Sequence, residues 1–253
     1  MTRPLHQRDP IARFHGRAEE YARFRPDYPR EAFDAMLHGL PGDCAVADIG
    51  AGTGVASRPL AERGLRLLAI EPNAEMRSCA TPPERGAIEW REGSAEATGL
   101  PDSAVHLVLC AQSFHWFDPG AALPEFLRIL APGGRLALMW NVRDEEDALT
   151  AAYGRLVREA AGPDKDLAGR QFTEEAVVRH FFGGLRLLLF RHEQRLDSGG
   201  LLGRAMSASY VPRSGPPHER LMAALRDLHL AHARSDGFAS LVYRTELWLA
   251  DRP

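Results

Sequence analysis

The feature that most constrains this chain is a glycine-rich turn that follows a short apolar segment. Residues 45–49 read AVADI, a composition that favours a strand buried at the centre of a parallel sheet. Glycine then recurs at alternate positions, as Gly50, Gly52 and Gly54. Because glycine lacks a Cβ atom, it adopts positive φ readily and lets the backbone approach a bound molecule. The pattern predicts a nucleotide-binding turn at the carboxyl end of a strand in an α/β fold.

The residues around the turn indicate which kind of ligand it accepts. The dinucleotide fingerprint, G-x-G-x-x-G, requires a glycine where this chain has Val55. Asp48 lies two residues before the first glycine, and the turn contains no lysine or arginine that would neutralise a pyrophosphate. A carboxylate there suits a cationic ligand, and S-adenosylmethionine carries both a sulfonium and an ammonium group. We interpret the turn as a cradle for the methionyl end of that cofactor, with a Rossmann oxidoreductase as the less favoured alternative.

A second acidic residue agrees with this interpretation. The apolar segment 67–70 ends in Glu71, which lies 21 positions after Gly50. At about this separation, the next parallel strand of a nucleotide-binding sheet delivers an acid to the ribose hydroxyls. A carboxylate can accept hydrogen bonds from both hydroxyls at once. Glu71 is therefore predicted to bind ribose, and the alternative is a solvated carboxylate at the end of a strand.

Three segments together resemble successive motifs of the class I S-adenosylmethionine-dependent methyltransferases, namely residues 46–54, 69–73 and 130–134. The chain is similar to the small-molecule branch that contains trans-aconitate and quinone-pathway methyltransferases. The motifs cover residues 20–141, and the remainder carries none that specifies a substrate. The resemblance implies a Rossmann-like α/β fold, with a seven-stranded, mostly parallel sheet, helices on both faces and one antiparallel strand.

The same resemblance implies the reaction and the organisation of the chain. The methyl group of S-adenosylmethionine would pass to an oxygen, nitrogen or carbon atom of a small-molecule acceptor, leaving S-adenosylhomocysteine. A protein that binds the cofactor without catalysis is a further alternative. We expect one domain over residues 1–253, with an N-terminal arm over about 1–40 and a cofactor-binding core over about 41–141. A helical lid insertion is expected over about 198–236, between two antiparallel edge strands at 185–195 and 241–249.

The resemblance also assigns residues to the cofactor. The pattern Y-x-x-x-R-P-x-Y-P resembles an N-terminal cap in which Tyr21, Arg25 and Tyr28 close over the methionyl end. Arg25 could make a forked contact with the cofactor carboxylate, and the alternative is a solvated arginine with two packing tyrosines. After the third predicted strand, the backbone of Ala95 and a side chain of its neighbours would contact adenine. The residues predicted to bind the cofactor are Tyr21, Arg25, Asp48, Gly50, Ala51, Gly52, Thr53, Gly54, Glu71, Pro72, Ser94, Ala95, Glu96 and Gln112.

The loop after the fourth predicted strand is the candidate region for the chemistry. Residues 111–119 lie beyond the carboxyl end of a central strand, where open α/β sheets bind ligands. His115 is predicted to be a catalytic acid–base or acceptor-orienting residue, since an imidazole can exchange a proton near neutral pH. The alternative is a histidine that shapes the loop by bonding its backbone. The residues predicted to contact the acceptor are Tyr28, Phe114, Trp116 and Tyr210.

Composition excludes several other classes. The net charge is −3 and the arginines are spread out, so nothing indicates nucleic acid as a partner. Three cysteines without a C-x-x-C pair favour a reducing cytoplasm. No apolar run approaches the ~20 residues of a membrane span, so we expect no membrane partner. His229 and His232 share a helix face without a third ligand, so no metal site is predicted. No oligomeric state is predicted.

Overall fold

The frame of the molecule is one mixed β-sheet. The computed structural model describes residues 16–162 and 174–253. Residues 1–15 of the predicted arm lie outside that range. Within it, seven strands pair in the order β3-β2-β1-β4-β5-β7-β6. Their bounds are Ala45–Ile49 (β1), Arg66–Ile70 (β2), Ile88–Arg91 (β3), Val105–Ala111 (β4), Leu130–Arg143 (β5), Gly183–Leu196 (β6) and Ala239–Asp251 (β7).

The direction of each strand agrees with the predicted fold class. β1 pairs in parallel with both β2 and β4, β2 with β3, and β4 with β5. β7 is antiparallel to both of its neighbours, β5 and β6. The predicted seven-stranded, mostly parallel sheet with one antiparallel strand is therefore confirmed. Strand order reverses between β1 and β4, which brings the turn after residue 49 beside the loop after residue 111.

Helices cover both faces of the sheet, as the fold class requires. One face packs against α2 and α3 through Phe33, Met36 and Leu60. The other face packs against α5 and α7 through Phe126 and Val178. The helix bounds are Ala18–Phe24 (α1), Arg30–Leu37 (α2), Ser57–Ala61 (α3), Ala74–Ser78 (α4), Pro119–Ile129 (α5), Ala148–Ala161 (α6), Glu175–Phe181 (α7), Ser198–Met206 (α8) and Pro216–His232 (α9).

Helix α8 lies within the segment expected to form a helical lid insertion, although Gly199 and Gly200 by themselves predict a break in it. The Asp197 side chain caps the helix and accepts a hydrogen bond from the Gly200 amide at 2.6 Å. Leu201 is fully buried, and a Cβ atom at Gly203 would overlap the ring of Phe24 on α1. Gly203 weakens the helix locally, but its lack of a side chain permits close packing of α1 on α8. Here tertiary contacts outweigh the low helix propensity of glycine.

A third apolar cluster lies apart from the two faces of the sheet. It joins α6, α8 and α9 through Tyr153, Leu201 and Leu225, together with Tyr243 at the start of β7. The predicted lid over residues 198–236 thus packs with α6, which the sequence did not associate with it. We refer to α6, α8, α9 and the connection between α8 and α9 as the lid.

Arg17 ties the N-terminal arm to the lid. Its side chain is buried and donates to the carbonyl oxygens of Met206 at 2.9 Å, Ala208 at 2.8 Å and Val211 at 2.7 Å. The adjacent Gly16 amide donates to both carboxylate oxygens of Glu75, at 2.8 and 3.0 Å. The arm therefore bridges the lid and α4, the helix that begins beside the predicted ribose-binding acid.

Replacing Arg17 by alanine should release the arm from the lid. The change leaves three carbonyl groups without a charged donor, each bond of this kind contributing roughly 1.5–3 kcal/mol. We expect chymotrypsin to cleave at Tyr21 and Phe24 at least about tenfold faster in Arg17→Ala than in the unchanged chain. The matched control is Arg23→Ala, which removes an exposed guanidinium that lies over the Phe24 ring. Equal cleavage rates in the two variants would contradict this role for Arg17.

Candidate active site

The turn after β1 requires glycine for two independent reasons. Gly50, Gly52 and Gly54 have φ values of +67°, +60° and +79°, a region that residues with a Cβ atom rarely adopt. Space is also lacking, since a Cβ atom at Gly50 would lie 2.7 Å from the Cβ atom of Ser113. At Gly54 it would lie 3.1 Å from the Trp90 ring. The backbone of the turn thus packs closely against Ser113 and Trp90, and its opposite side is available to a ligand.

Glu71 connects the ends of β1 and β2. It is 7% exposed, and its two carboxylate oxygens accept hydrogen bonds from the backbone amides of Gly52 and Asn73, each at 2.9 Å. Burial raises the pKa of Glu71, while those two bonds and the charge of Arg77 oppose the rise. Each carboxylate oxygen keeps a second lone pair, so Glu71 can still accept from ribose hydroxyls.

Asp48 is a buried acid with one unused oxygen. Its side chain is 1% exposed, and Oδ2 accepts a hydrogen bond from Ser57 Oγ at 2.6 Å. Oδ1 is buried and makes no hydrogen bond with a residue that the structure describes. Burial raises the pKa of Asp48 to about 7, the Ser57 bond opposes the rise, and the charge of Glu71 adds to it. A buried acceptor with spare capacity beside the turn fits a cationic group of a ligand.

A cavity of about 420 Å³ lies over the turn, within the range of small-molecule sites. It brings together most of the residues predicted to bind the cofactor, and Trp116 as well. Its walls combine aromatic side chains with the acids at the ends of β2 and β3. The lining residues are Tyr21, Gly50, Gly52, Glu71, Pro72, Asn73, Met76, Gly93, Ser94, Ala95, Glu96, Gln112, Ser113, Trp116, Phe117 and Asp118.

Other predicted cofactor residues lie around this cavity without lining it. Ala51, Thr53 and Gly54 form the body of the turn, and Thr53 is 1% exposed. Arg25 and Tyr28 line a small adjoining cleft together with Tyr21 and Gln112. The Arg25 guanidinium stacks 4.5 Å from the centre of the Tyr21 ring, and its buried Nε makes no hydrogen bond with a described residue.

The sequence did not single out six of the lining residues as ligand contacts, namely Asn73, Met76, Gly93, Ser113, Phe117 and Asp118. Asn73 caps α4, and its Oδ1 accepts from the amides of Glu75 at 2.9 Å and Met76 at 3.3 Å. Met76 lies in the first turn of α4, three residues after this cap, so the predicted helix start could have indicated it as a ligand contact. Ser113 donates from Oγ to the carbonyl oxygen of Ile49 at 2.7 Å, which holds the β4 loop against the turn. No local pattern indicates Ser113 or its neighbour Phe117, because their positions depend on strand order.

The three aromatic residues of the β4 loop separate in the structure. Residues Phe114–Trp116 form a single 3-10 turn. Phe114 is 1% exposed and packs edge-to-face against Phe117, with ring centroids 6.1 Å apart, and it does not line the cavity over the glycine turn. Trp116 lines the cavity over the glycine turn.

His115 is held by a tryptophan. The Trp140 indole donates from Nε1 to His115 Nδ1 at 3.3 Å. A nitrogen that accepts a hydrogen bond carries no proton, so this bond assigns the proton of the neutral imidazole to Nε2. In this state His115 can donate to a bound molecule. It can accept a proton at Nδ1 only by giving up the bond to Trp140.

Among residues 16–162 and 174–253, no group of three or more His, Cys, Asp or Glu side chains could hold a metal ion. In the same ranges, no helix has the length and apolar character needed to cross a bilayer.

Known proteins similar to this chain are methyltransferases. A family model described as "Methyltransferase domain" matches residues 47–138. An uncharacterized methyltransferase of Mycobacterium tuberculosis is 40% identical over 176 residues, which cover 69% of this chain and 70% of the relative. The trans-aconitate 2-methyltransferase of Azoarcus sp. is 31% identical over 149 residues, or 57% of this chain and 56% of that protein.

A solved structure supports the fold. The protein from Anaeromyxobacter dehalogenans, proposed to be a type II methyltransferase, superposes with a TM-score of 0.64. It is 24% identical to this chain, and the superposition covers 90% of this chain and 97% of that one. At this identity the likeness establishes the shared fold and no more.

Loss of the Glu71 carboxylate should weaken binding of S-adenosylhomocysteine. We expect Glu71→Ala to lower the affinity by about 1–3 kcal/mol, because charged hydrogen bonds to ribose and to the Gly52 amide disappear together. Titration calorimetry measures the change. Glu92→Ala is the control, since this acid follows β3 and pairs at the surface with Arg77. Unchanged affinity in a folded Glu71→Ala protein would remove the ribose assignment.

Asp48 should make cofactor binding depend on pH. A pKa near 7 in the free protein, against the ordinary 3.8, means that folding takes up a proton between about pH 4 and 7. The stability contributed by the protonated form is present below pH 4 and is lost as pH rises through 7. A ligand ammonium group favours the carboxylate, so the affinity for S-adenosylhomocysteine should rise about tenfold from pH 6 to 8. Calorimetry at both pH values should find this rise absent in Asp48→Asn, and an equal rise in both proteins would contradict the assignment.

Proposed function

Because this chain belongs to the methyltransferase family, we propose that it transfers the methyl group of S-adenosylmethionine to a small-molecule acceptor. The observation that carries the proposal is the cavity in which the glycine turn, Glu71 and the β4 loop meet. S-adenosylmethionine, when bound, supplies an electrophilic methyl group on a positively charged sulfur. Everything else in the reaction depends on where the protein holds the two reactants.

The residues around the cavity suit the parts of the cofactor. Glu71 would accept from the ribose hydroxyls, and the apolar walls at Pro72, Trp116 and Phe117 would enclose the adenine. Glu96 already accepts a hydrogen bond from the Asp118 amide at 3.0 Å, so it offers its remaining lone pairs. Ser94 and the Ala95 amide lie beside it.

Two charges suit the amino-acid end of the cofactor. The unused Oδ1 of Asp48 would stabilise the ammonium group, directly or through the turn. The Arg25 guanidinium would bind the carboxylate by its two parallel N–H groups. Tyr21 stacks on Arg25 and also lines the cavity, so the arm would close over this end.

Alignment of the reactants is the main contribution that we assign to the protein. The sulfonium leaving group needs no acid, and effective concentration alone can contribute roughly 7–11 kcal/mol. A lid that excludes water keeps the acceptor aligned with the methyl group. The bond from Trp140 leaves His115 as a donor, which favours an acceptor-orienting role over that of a general base.

The function is tested by cofactor choice and turnover. We expect calorimetric titration to show that the protein binds S-adenosylmethionine and S-adenosylhomocysteine. Fluorescence titration should show no binding of NADH. Transfer of labelled methyl from S-adenosylmethionine to an acceptor should yield one S-adenosylhomocysteine per product. Binding of NADH alone would favour the oxidoreductase. Binding of S-adenosylmethionine with no transfer to any acceptor would favour a cofactor-binding protein without catalysis.

His115 is tested once an acceptor is available. His115→Ala should reduce turnover by about 10²-fold or more at unchanged cofactor affinity, because the acceptor loses its orienting contact. Trp140→Phe keeps the imidazole but removes the bond that Trp140 donates to Nδ1, so turnover should fall less than in His115→Ala. Unchanged turnover in His115→Ala would reject the role. An equal loss of cofactor affinity and turnover would make His115 a residue that only shapes the loop.

A further inference from the structure

The lid contains a buried arginine whose charge has no acidic partner in the described part of the chain. Arg204, on α8, is 5% exposed. Its Nε donates to the Tyr243 hydroxyl at 3.1 Å and its Nη1 to Ser207 Oγ at 3.2 Å. Both partners are neutral, and Nη2 makes no hydrogen bond with a described residue. Burial of a charge without a counter-charge is costly, so this guanidinium suits an anion that arrives from outside the chain.

A second arginine and a tyrosine lie in the same place. Arg143, at the end of β5, donates a hydrogen bond to the hydroxyl of Tyr210 in the connection after α8. Burial by itself raises the pKa of Tyr210, but the positive charges of Arg143, Arg204 and Arg25 outweigh burial and leave that pKa lowered. The group formed by Arg143, Arg204, Tyr210 and Tyr243, here called the arginine pocket, therefore has a positive potential.

The arginine pocket lies next to the small cleft that Arg25, Tyr28 and Asn141 line, because Asn141 and Arg143 are two residues apart on β5. Arg143 also pairs in register with Tyr243 on β7. Burial raises the pKa of Tyr28, and the charges of Asp48 and Arg204 act on it in opposite directions. Tyr28 also lines the small cleft that it shares with Arg25 and Gln112. A molecule held at Arg204 would thus approach the place where the methyl group is expected.

We propose that the acceptor is a carboxylic acid and that Arg204, assisted by Arg143 and Tyr210, binds its carboxylate. This inference rests on the proposed methyltransferase function. The free edge of a guanidinium presents parallel N–H groups that match the two oxygens of a carboxylate. A cationic amine would meet only positive charge and hydroxyl groups here. A neutral acceptor would leave the Arg204 charge uncompensated.

The experiment uses the full chain saturated with S-adenosylhomocysteine. Thermal stabilisation is measured with adipate, citrate, benzoate and phenylacetate, each at about 10 mM, and with the primary amide of each acid. We expect at least one acid to raise the melting temperature by 2 °C or more beyond its amide at equal ionic strength. Arg204→Met should abolish the difference, and Arg204→Lys should reduce it. Arg226→Met, which changes an exposed arginine on α9, should leave it unchanged.

Each other outcome has a defined meaning. No preference for any acid over its amide overturns the proposal, as does a preference that survives in folded Arg204→Met. Equal stabilisation by inorganic phosphate or sulfate would make the pocket a general anion site and overturn the carboxylate assignment. If Arg204→Met lowers the affinity for S-adenosylhomocysteine as much as it lowers the acid effect, Arg204 serves the cofactor and the proposal fails. Failure of the unchanged chain to bind S-adenosylhomocysteine would instead reject the proposed function.

Discussion

The site depends first on one buried carboxylate that accepts two backbone amides. Glu71 holds the Gly52 amide of the turn after β1 and the Asn73 amide of the turn after β2. Without these two hydrogen bonds, a turn that contains three glycines with positive φ would be free to adopt many conformations. The acid that is predicted to recognise ribose thus also gives the glycine turn a single shape. Preorganisation of the turn and recognition of the ligand are properties of the same side chain.

From this bridge the order extends to the lid through a short series of contacts. Asn73 caps α4, Glu75 on α4 accepts the Gly16 amide, and Arg17 binds three carbonyls of the lid. Every step is a hydrogen bond between named groups. A ligand that engages Glu71 would contact the first element of this series.

The parts of the structure that could be predicted from sequence are those governed by local rules. The apolar run of β1, the glycines after it and the acid at the end of β2 each have a periodicity or a spacing that depends on few residues. Phe114 was expected beside the acceptor, but its side chain packs into the core within a 3-10 turn after β4. The helix at residues 198–206 and the burial of Arg204 depend on packing between segments far apart in sequence, such as Phe24 against Gly203. No window of local sequence contains that information.

In the site that we propose, the buried acids and the buried arginines occupy different ends. Asp48 and Glu71 lie at the ends of β1 and β2, and burial raises the pKa of both acids. Asp48 is proposed to stabilise the ammonium group of the cofactor, and Glu71 to accept from its ribose hydroxyls. Arg143 lies at the end of β5 and Arg204 on α8, where the proposed acceptor brings negative charge. Each half is unfavourable by itself, since buried like charges repel and lack solvation. A positively charged cofactor and a negatively charged acceptor would each bring an opposite charge to these buried groups. A neutral ligand in either place would leave the buried charge uncompensated.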